Sequence, residues 1–258
     1  MKKASFDVFG NIILVKFAKG TSVKHKKRFA NELLKNHKSV TTILEKTGGF
    51  SGRLRKQKTK HLAGKKTKEA LYRENGCVFR FNIDGVYFSP RLSNERKEIA
   101  GQVRKGDAVL VMFAGVGPYS IVIAKNSKAD IVYSNEINRE ANKYARLNAE
   151  LNHVKNKIVF LDGDIKRVIK KLKIKFDVIV MPRPQLKDSF LREAFSLSKK
   201  GTRIFYYDFC KADDIEQVVN MVKSEAKRHK VKIKILKIKK AGEIAPYKYR
   251  IRVDFKVL

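Results

Sequence analysis

Cysteine is scarce: Cys77 and Cys210 are the only two in 258 residues, far apart and without a paired spacing. That excludes a disulfide framework and a cysteine-rich zinc motif. It fits a reducing compartment, so a cytoplasmic location is expected. The five histidines, His25, His37, His61, His153 and His229, are scattered, and no metal site is expected. No apolar run approaches the roughly 20 residues that span a bilayer. The opening MKKASFDVFGN has no apolar stretch of signal-peptide length, so a membrane is not an expected partner. Acidic residues are few as well: 25 Asp and Glu stand against 59 Lys and Arg, a formal net charge of +34. A surface that positive repels itself unless it meets a polyanion, which makes nucleic acid the expected partner. No diphosphate-specific lysine motif is present, so an ATP-binding P-loop is not expected.

What is present centres on Val109 to Ser120, VLVMFAGVGPYS. An apolar run ends in a Gly-x-Gly turn at Gly115 and Gly117, and an apolar helical run follows from Ile121 to Ala124. Strand, glycine turn and helix start in that order form a nucleotide-type pocket. The glycines let the backbone approach a ligand, and the helix N-terminus offers free N–H groups. Ser120 stands where a dinucleotide fingerprint has its third glycine, so the turn alone is equally readable as a tight connection.

The chain begins with a strand, a turn at Gly10-Asn11 and a second strand, over Ser5 to Lys16. A basic helix follows over Val23 to Lys38, with Phe29, Leu33 and Leu34 on one face, and then a strand over Val40 to Leu44. Residues 48–68 turn to glycine and cations and read as a linker or as a basic loop ordered by phosphates. Cys77 to Phe88 alternates about Asp84-Gly85 and predicts a hairpin with its turn there. A helix is expected from Asn94 to Val103. Then strands at Ala108–Phe113, Asp130–Ser134, Lys157–Leu161, Phe176–Met181 and Thr202–Asp208 alternate with helices at Tyr119–Lys125, Arg139–Asn152, Ile165–Leu172, Leu186–Leu197 and Asp213–Lys227. Such alternation predicts an α/β fold, a Rossmann-like parallel doubly wound sheet. Two last strands, Lys232–Ile238 and Tyr249–Val257, are expected to pair at its edge as antiparallel strands. The expected division is a small basic α+β domain over residues 1–75 and the sheet domain over 76–258.

In such a sheet the ligand lies beyond the C-terminal strand ends. The first strand ends at the glycine turn. The second ends at Glu136, about 20 residues on, where an acid accepts from ribose hydroxyls. The third ends at Asp162-Gly163-Asp164, where an acid can accept from an adenine amine, and the fourth at Met181-Pro182-Arg183-Pro184. Singly, each acid reads equally as a cap or a surface group. Together they suit a ligand with ribose and adenine but no phosphate, such as S-adenosylmethionine.

The segments FDVFGNI, LAGKKTKEALYRENGC, VYFSPRLSNER, MFAGVGPYS, NEINREA, the Asp162-Gly163-Asp164 step and APYKYRIRVDF occur in order over nearly the whole chain. They resemble the archaeal and eukaryotic tRNA (guanine-37 N1)-methyltransferase family of the Rossmann type. The resemblance begins at that family's second domain, and the additional N-terminal domain that helps hold the tRNA elbow is expected to be absent. It implies methyl transfer from S-adenosylmethionine to N1 of the guanine 3′ of the anticodon, by a monomer bound at the tRNA anticodon loop. By motif position, Glu95 looks like the general base. Arg55, with Arg53 as fallback, looks like the arginine that steadies the base as its O6 gains charge. Tyr87 and Arg91 look like pocket or RNA contacts. Pro182 and Arg183 would face the base. Phe113, Gly115, Gly117, Pro118, Glu136, Ile137, Asp164 and Pro182 would hold the cofactor.

Two departures stand out. Val111 occupies a position where the family usually has an acid. Pro182-Arg183-Pro184 replaces an Asn-Leu-Pro step, removing an amide that reads the guanine edge. A proline-lined pocket suits a larger ring, so a second activity on C7 of the tricyclic intermediate 4-demethylwyosine (imG-14) is expected by resemblance to an archaeal subgroup. The rival readings are a wybutosine-pathway aminocarboxypropyltransferase, disfavoured by Pro118 after Gly-x-Gly, and a non-catalytic RNA-binding protein.

Overall fold

The computed structural model describes residues 4–211 and 214–258. Its first sheet has four strands. β1 (Ser5–Phe9) and β2 (Ile12–Lys16) form an antiparallel hairpin, α1 (Val23–Asn36) crosses over, and β3 (Thr42–Lys46) returns parallel to β2. The Ser22 hydroxyl caps α1 by accepting from the His25 N–H. Ala30 and Leu33 of α1 bury against Ile13, Val15 and Ile43. The fourth strand, β4 (Thr59–Gly64), lies antiparallel to β3. It corrects the reading of residues 48–68 as wholly linker or loop: Leu62 and Ala63 reach the core under α1, and burial outweighs the flanking lysines.

A two-stranded ladder comes next, β5 (Glu69–Glu74) with β6 (Cys77–Asn82). Its turn is Asn75-Gly76, both at positive φ, as a tight hairpin of right-handed twist requires. The expected turn at Asp84-Gly85 is therefore corrected. There the Asn82 side chain accepts from the N–H groups of Asp84 and Gly85 and closes the strand instead of joining two.

The large sheet contains β7 (Ala108–Met112), β8 (Ile131–Glu136), β9 (Ile158–Asp162), β10 (Phe176–Met181), β11 (Ser198–Lys211), β12 (Ile233–Ala245) and β13 (Lys248–Val257), in the order β12-β13-β11-β10-β7-β8-β9. The five strands from β11 to β9 run parallel, and β13 and β12 add an antiparallel edge, as expected. Both faces are covered. Val109 and Val111 face α2 (Ser93–Gln102), α3 (Pro118–Asn126) and α4 (Arg139–Leu151). Leu110 and Met112 face the other way, toward α5 (Ile165–Val168), α6 (Leu191–Ser196) and α7 (Ile215–Arg228). A strand buried on both sides reads as a continuous apolar run, which is how the sequence shows it. Val111 packs fully buried in this core. The predicted start of the last helix at Asp213 lies outside the described residues.

α6 is shorter than the expected helix over Leu186–Leu197. Phe190 sits at φ 58°, outside the helical region, and the Leu186 carbonyl accepts from Arg183. Residues 186–190 thus wrap the end of β10 rather than continuing a helix. The strand order reverses at β7, between β8 and β10, so a crevice opens beyond the C-terminal ends of these strands.

Candidate active site

The crevice is a cavity built from the tips of β7, β8, β9 and β10, and it is roofed by the loop before β4. After β7 the chain turns through Phe113 (φ 59°), Gly115 (φ 59°) and Gly117 (φ 84°). A Cβ on Gly117 would come within 3.1 Å of Ile121 Cδ1, so both space and φ call for glycine there. Gly117 is the N-cap of α3 and Pro118 its first residue. Neither lines the cavity. They set the turn that carries Phe113 and Gly115.

Glu136 ends β8 on the cavity wall. One of its oxygens accepts from the Gly115 N–H at 2.7 Å and the other from the Asn138 N–H at 2.8 Å. Burial pushes this carboxyl above its usual range, against those N–H groups. The glycine turn and the ribose-type acid are therefore one hydrogen-bonded unit. Ile137 lines the wall beside it. Asp164 lies at the end of β9 and caps α5 through the Lys166 N–H. Its other oxygen accepts from Arg53 at 2.6 Å. Burial would raise Asp164, but Arg53 and the cap outweigh it and hold the carboxyl below its usual value.

Arg55, Tyr87, Pro182 and Arg183 also line the cavity. The Arg55 guanidinium lies 4.6 Å from the Tyr87 ring centroid and 5.2 Å from that of Phe50. Its Nε is buried with no hydrogen-bond partner, and burial lowers its pKa. An unpaired buried donor on a cavity wall is a group prepared for a ligand oxygen. Burial would raise the Tyr87 phenol, but Arg250, which donates to it at 3.3 Å, and Arg55 outweigh that and lower it. Arg183 is only 4% exposed. Its guanidinium donates to Tyr206 Oη, Asp208, and the Pro184 and Leu186 carbonyls. It therefore braces the loop, and Pro182 and Pro184 present the apolar surface. Three residues of the wall, Arg55, Phe113 and Phe190, hold left-handed φ without being glycine. Such backbone costs on the order of 1–3 kcal/mol each and concentrates at sites that need it.

Glu95 is placed elsewhere. It is 5% exposed and does not line this cavity. One oxygen accepts from Lys239 at 2.5 Å; the other accepts from Arg252 at 2.6 Å and Tyr207 Oη at 3.0 Å. Arg252, fully buried, also pairs with Glu98 and Asp254. The structure thus ties Glu95 into an ion-pair network off the cavity wall. The face of α2 that carries it packs on β11 and β13, where Arg252 attracts it. Arg91 also stands off this cavity; it pairs with Asp7 at 2.7 Å. Residues not singled out from the sequence complete the wall: Arg250, Leu186, Phe190 and Asn138, whose amide donates to the Gly85 carbonyl at 2.9 Å. Arg250 lies within APYKYRIRVDF, but only pairing of β13 with β11 brings it here.

The chain matches the family model of the TRM5/TYW2 methyltransferase domain over residues 70–234 and that of the TYW2 N-terminal domain over residues 2–67. The chain belongs to the TRM5/TYW2 methyltransferase family. Among the similar family members is tRNA (guanine(37)-N(1))-methyltransferase Trm5b of Pyrococcus abyssi, 34% identical over 254 residues, which are 98% of this chain and 74% of that protein. Another is tRNA (guanine(37)-N(1))/4-demethylwyosine(37)-methyltransferase Taw22 of Nanoarchaeum equitans, 34% identical over 97% of this chain and 98% of that one. The crystal structure of P. abyssi Trm5b superposes with a TM-score of 0.87 at 33% identity, covering 98% of this chain and 74% of that chain. A complex of aTrm5 with tRNALeu superposes with a TM-score of 0.87 at 27% identity, over 100% and 73% of the two chains.

Proposed function

We propose that the protein methylates N1 of guanine 37 in tRNA, with S-adenosylmethionine as methyl donor. One observation carries this reading: Glu136 tied to the glycine turn, with Arg55 lining the same cavity. The donor set fits the cofactor. Glu136 offers carboxylate lone pairs to ribose hydroxyls, Ile137 and Pro182 offer apolar faces to adenine, and Asp164 closes that end. S-adenosylmethionine supplies an electrophilic methyl on a sulfonium. The chain must align the base with it and manage one proton. Arg55, with its unpaired Nε, faces charge developing on O6. In this reading residues 1–75 chiefly hold RNA and residues 76–258 carry the transfer.

The resemblance assigns the N1 proton to Glu95. That carboxylate must then exchange Lys239 or Arg252 for the base. Tyr87 gives a second route, favoured by its place on the wall and its lowered pKa. Pro182 and Pro184 support methylation of C7 of 4-demethylwyosine as a further substrate, since they widen the apolar face without asking for an amide. Nucleoside analysis by mass spectrometry tests the reading, after tRNA carrying guanine or 4-demethylwyosine at position 37, 3′ of the anticodon, has reacted with labelled cofactor. A gain of one methyl on each is expected. Transfer of an aminocarboxypropyl group, or none, would overturn it.

A further inference from the structure

A second cavity of about 460 Å³ adjoins the first, within the roughly 300–1,000 Å³ range of ligand sites. Arg55, Tyr87 and Arg250 line both, so they form a shared partition. Cations and aromatic rings alternate along it. Lys46 Nζ lies 4.6 Å from the Phe50 centroid, Phe50 packs edge-on to Tyr87 at 4.9 Å, and Arg55 lies over both rings. Arg250 donates to the Tyr87 hydroxyl. Lys16 at the end of β2 lines the same cavity. Among the described residues neither Lys16 nor Lys46 has a carboxylate within ion-pair distance, whereas Asp7 on this wall is taken by Arg91. Burial lowers the Lys46 pKa, and Lys16 and Arg55 lower it further, more than Asp7 and Tyr87 offset. Glu243 is the other acid on this wall, so five cations, Lys16, Lys46, Arg55, Arg91 and Arg250, face two carboxylates. The wall therefore holds an excess of positive charge between rings, the arrangement that binds single-stranded nucleic acid through its phosphate and base face together.

We propose that this second cavity seats the nucleotide next to the methylated base. Lys16 and Lys46 take the phosphate between the two, and Phe50 lies against the neighbouring base. The proposal rests on the methyltransferase reading only for which nucleotide that is. The base crosses the Arg55–Tyr87–Arg250 partition to reach the cofactor, and the strand stays on the outer side.

The test is a binding cycle on the full chain. Wild type and Lys16→Ala/Lys46→Ala are compared on tRNA carrying a neutral methylphosphonate at the linkage on either side of guanine 37. At one linkage, wild type is expected to lose about tenfold or more in affinity and the double variant to lose nothing further. The salt slope of tRNA binding should fall by about one, and cofactor affinity by calorimetry should stay unchanged. Equal sensitivity of both proteins at both linkages, or no sensitivity in wild type, would overturn the site. Binding is read without methyl transfer, so a protein that binds this way but transfers nothing counts against the enzymatic reading alone.

Discussion

At the scale of single residues the open matter is the proton on N1. Glu95 has both oxygens in ion pairs behind the wall, and Tyr87 stands on it. Two variants separate them. If Glu95 takes the proton, Glu95→Gln lowers kcat by about 100-fold or more while cofactor affinity holds, and Tyr87→Phe changes kcat little. If Tyr87 takes it, the order reverses. Single-turnover rates at saturating tRNA decide the point. The ion-pair network also makes a pH prediction. Burial would raise Glu98, but Arg252, Lys239 and Lys237 outweigh it and hold its carboxyl at about 2 against an ordinary 4.5. A carboxyl depressed on folding stabilises fully above its unfolded pKa and loses that stabilisation as pH falls through the folded one. Thermal midpoints should therefore fall between pH 4.5 and about 2. Glu98→Gln should flatten that fall, and an unchanged slope would remove the network from acid stability.

At the scale of elements the β5–β6 ladder joins the two larger sheets. Two strands alone are marginal in water, yet side-chain amides occupy both outer edges. Asn11 accepts from the Leu71 N–H at 2.6 Å and donates to the Glu69 carbonyl on β5. On β6, Asn152 pairs with the N–H and C=O of Val78, and Asn148, one turn earlier on α4, does the same for Arg80. Asn148 also donates to the Val116 carbonyl beside the glycine turn. Both asparagines are buried, at 0% and 2% exposure, so the amides themselves have no water to fall back on. Asn148→Ala should cost about 2–4 kcal/mol, a drop in melting temperature on the order of 5–10 °C. A loss below one degree would show the edge to be held by other contacts. Asn148→Ala should also raise KM for the cofactor, because the Val116 carbonyl belongs to the turn.

For the whole molecule, charge dominates. The chain carries a net +34 over 258 residues, so binding of tRNA should depend steeply on salt. A log–log slope of about −3 or steeper is expected for four or more neutralised phosphates. Filter binding between low and moderate salt measures it, and a flat line would undo the polyanion argument. The loop before β4 reaches the tips of the large sheet at the cavity itself. Arg53 reaches Asp164, and the Leu54 carbonyl accepts from Asn138. A loop from the first sheet thereby closes a site whose floor belongs to the large sheet. No helix among the described residues is long and apolar enough to cross a membrane.

The sequence by itself determined the parallel sheet, its antiparallel edge, and the glycine turn and Glu136 at successive strand ends. Apolar periodicity, strand spacing and glycine chemistry are local, and they survive in one dimension. It also pointed to β10 and its proline step. Only the tertiary structure decided where long charged side chains end. Arg183 turns back onto Asp208, Glu95 turns to Arg252, and Arg250 crosses to Tyr87. Each choice is made by a partner more than 20 residues away, brought near by strand pairing. Residues 59–64 likewise became a strand because β3 offered a free edge, against a composition that reads as loop. Local pattern fixes elements, whereas the pairing of buried charge depends on which elements become neighbours.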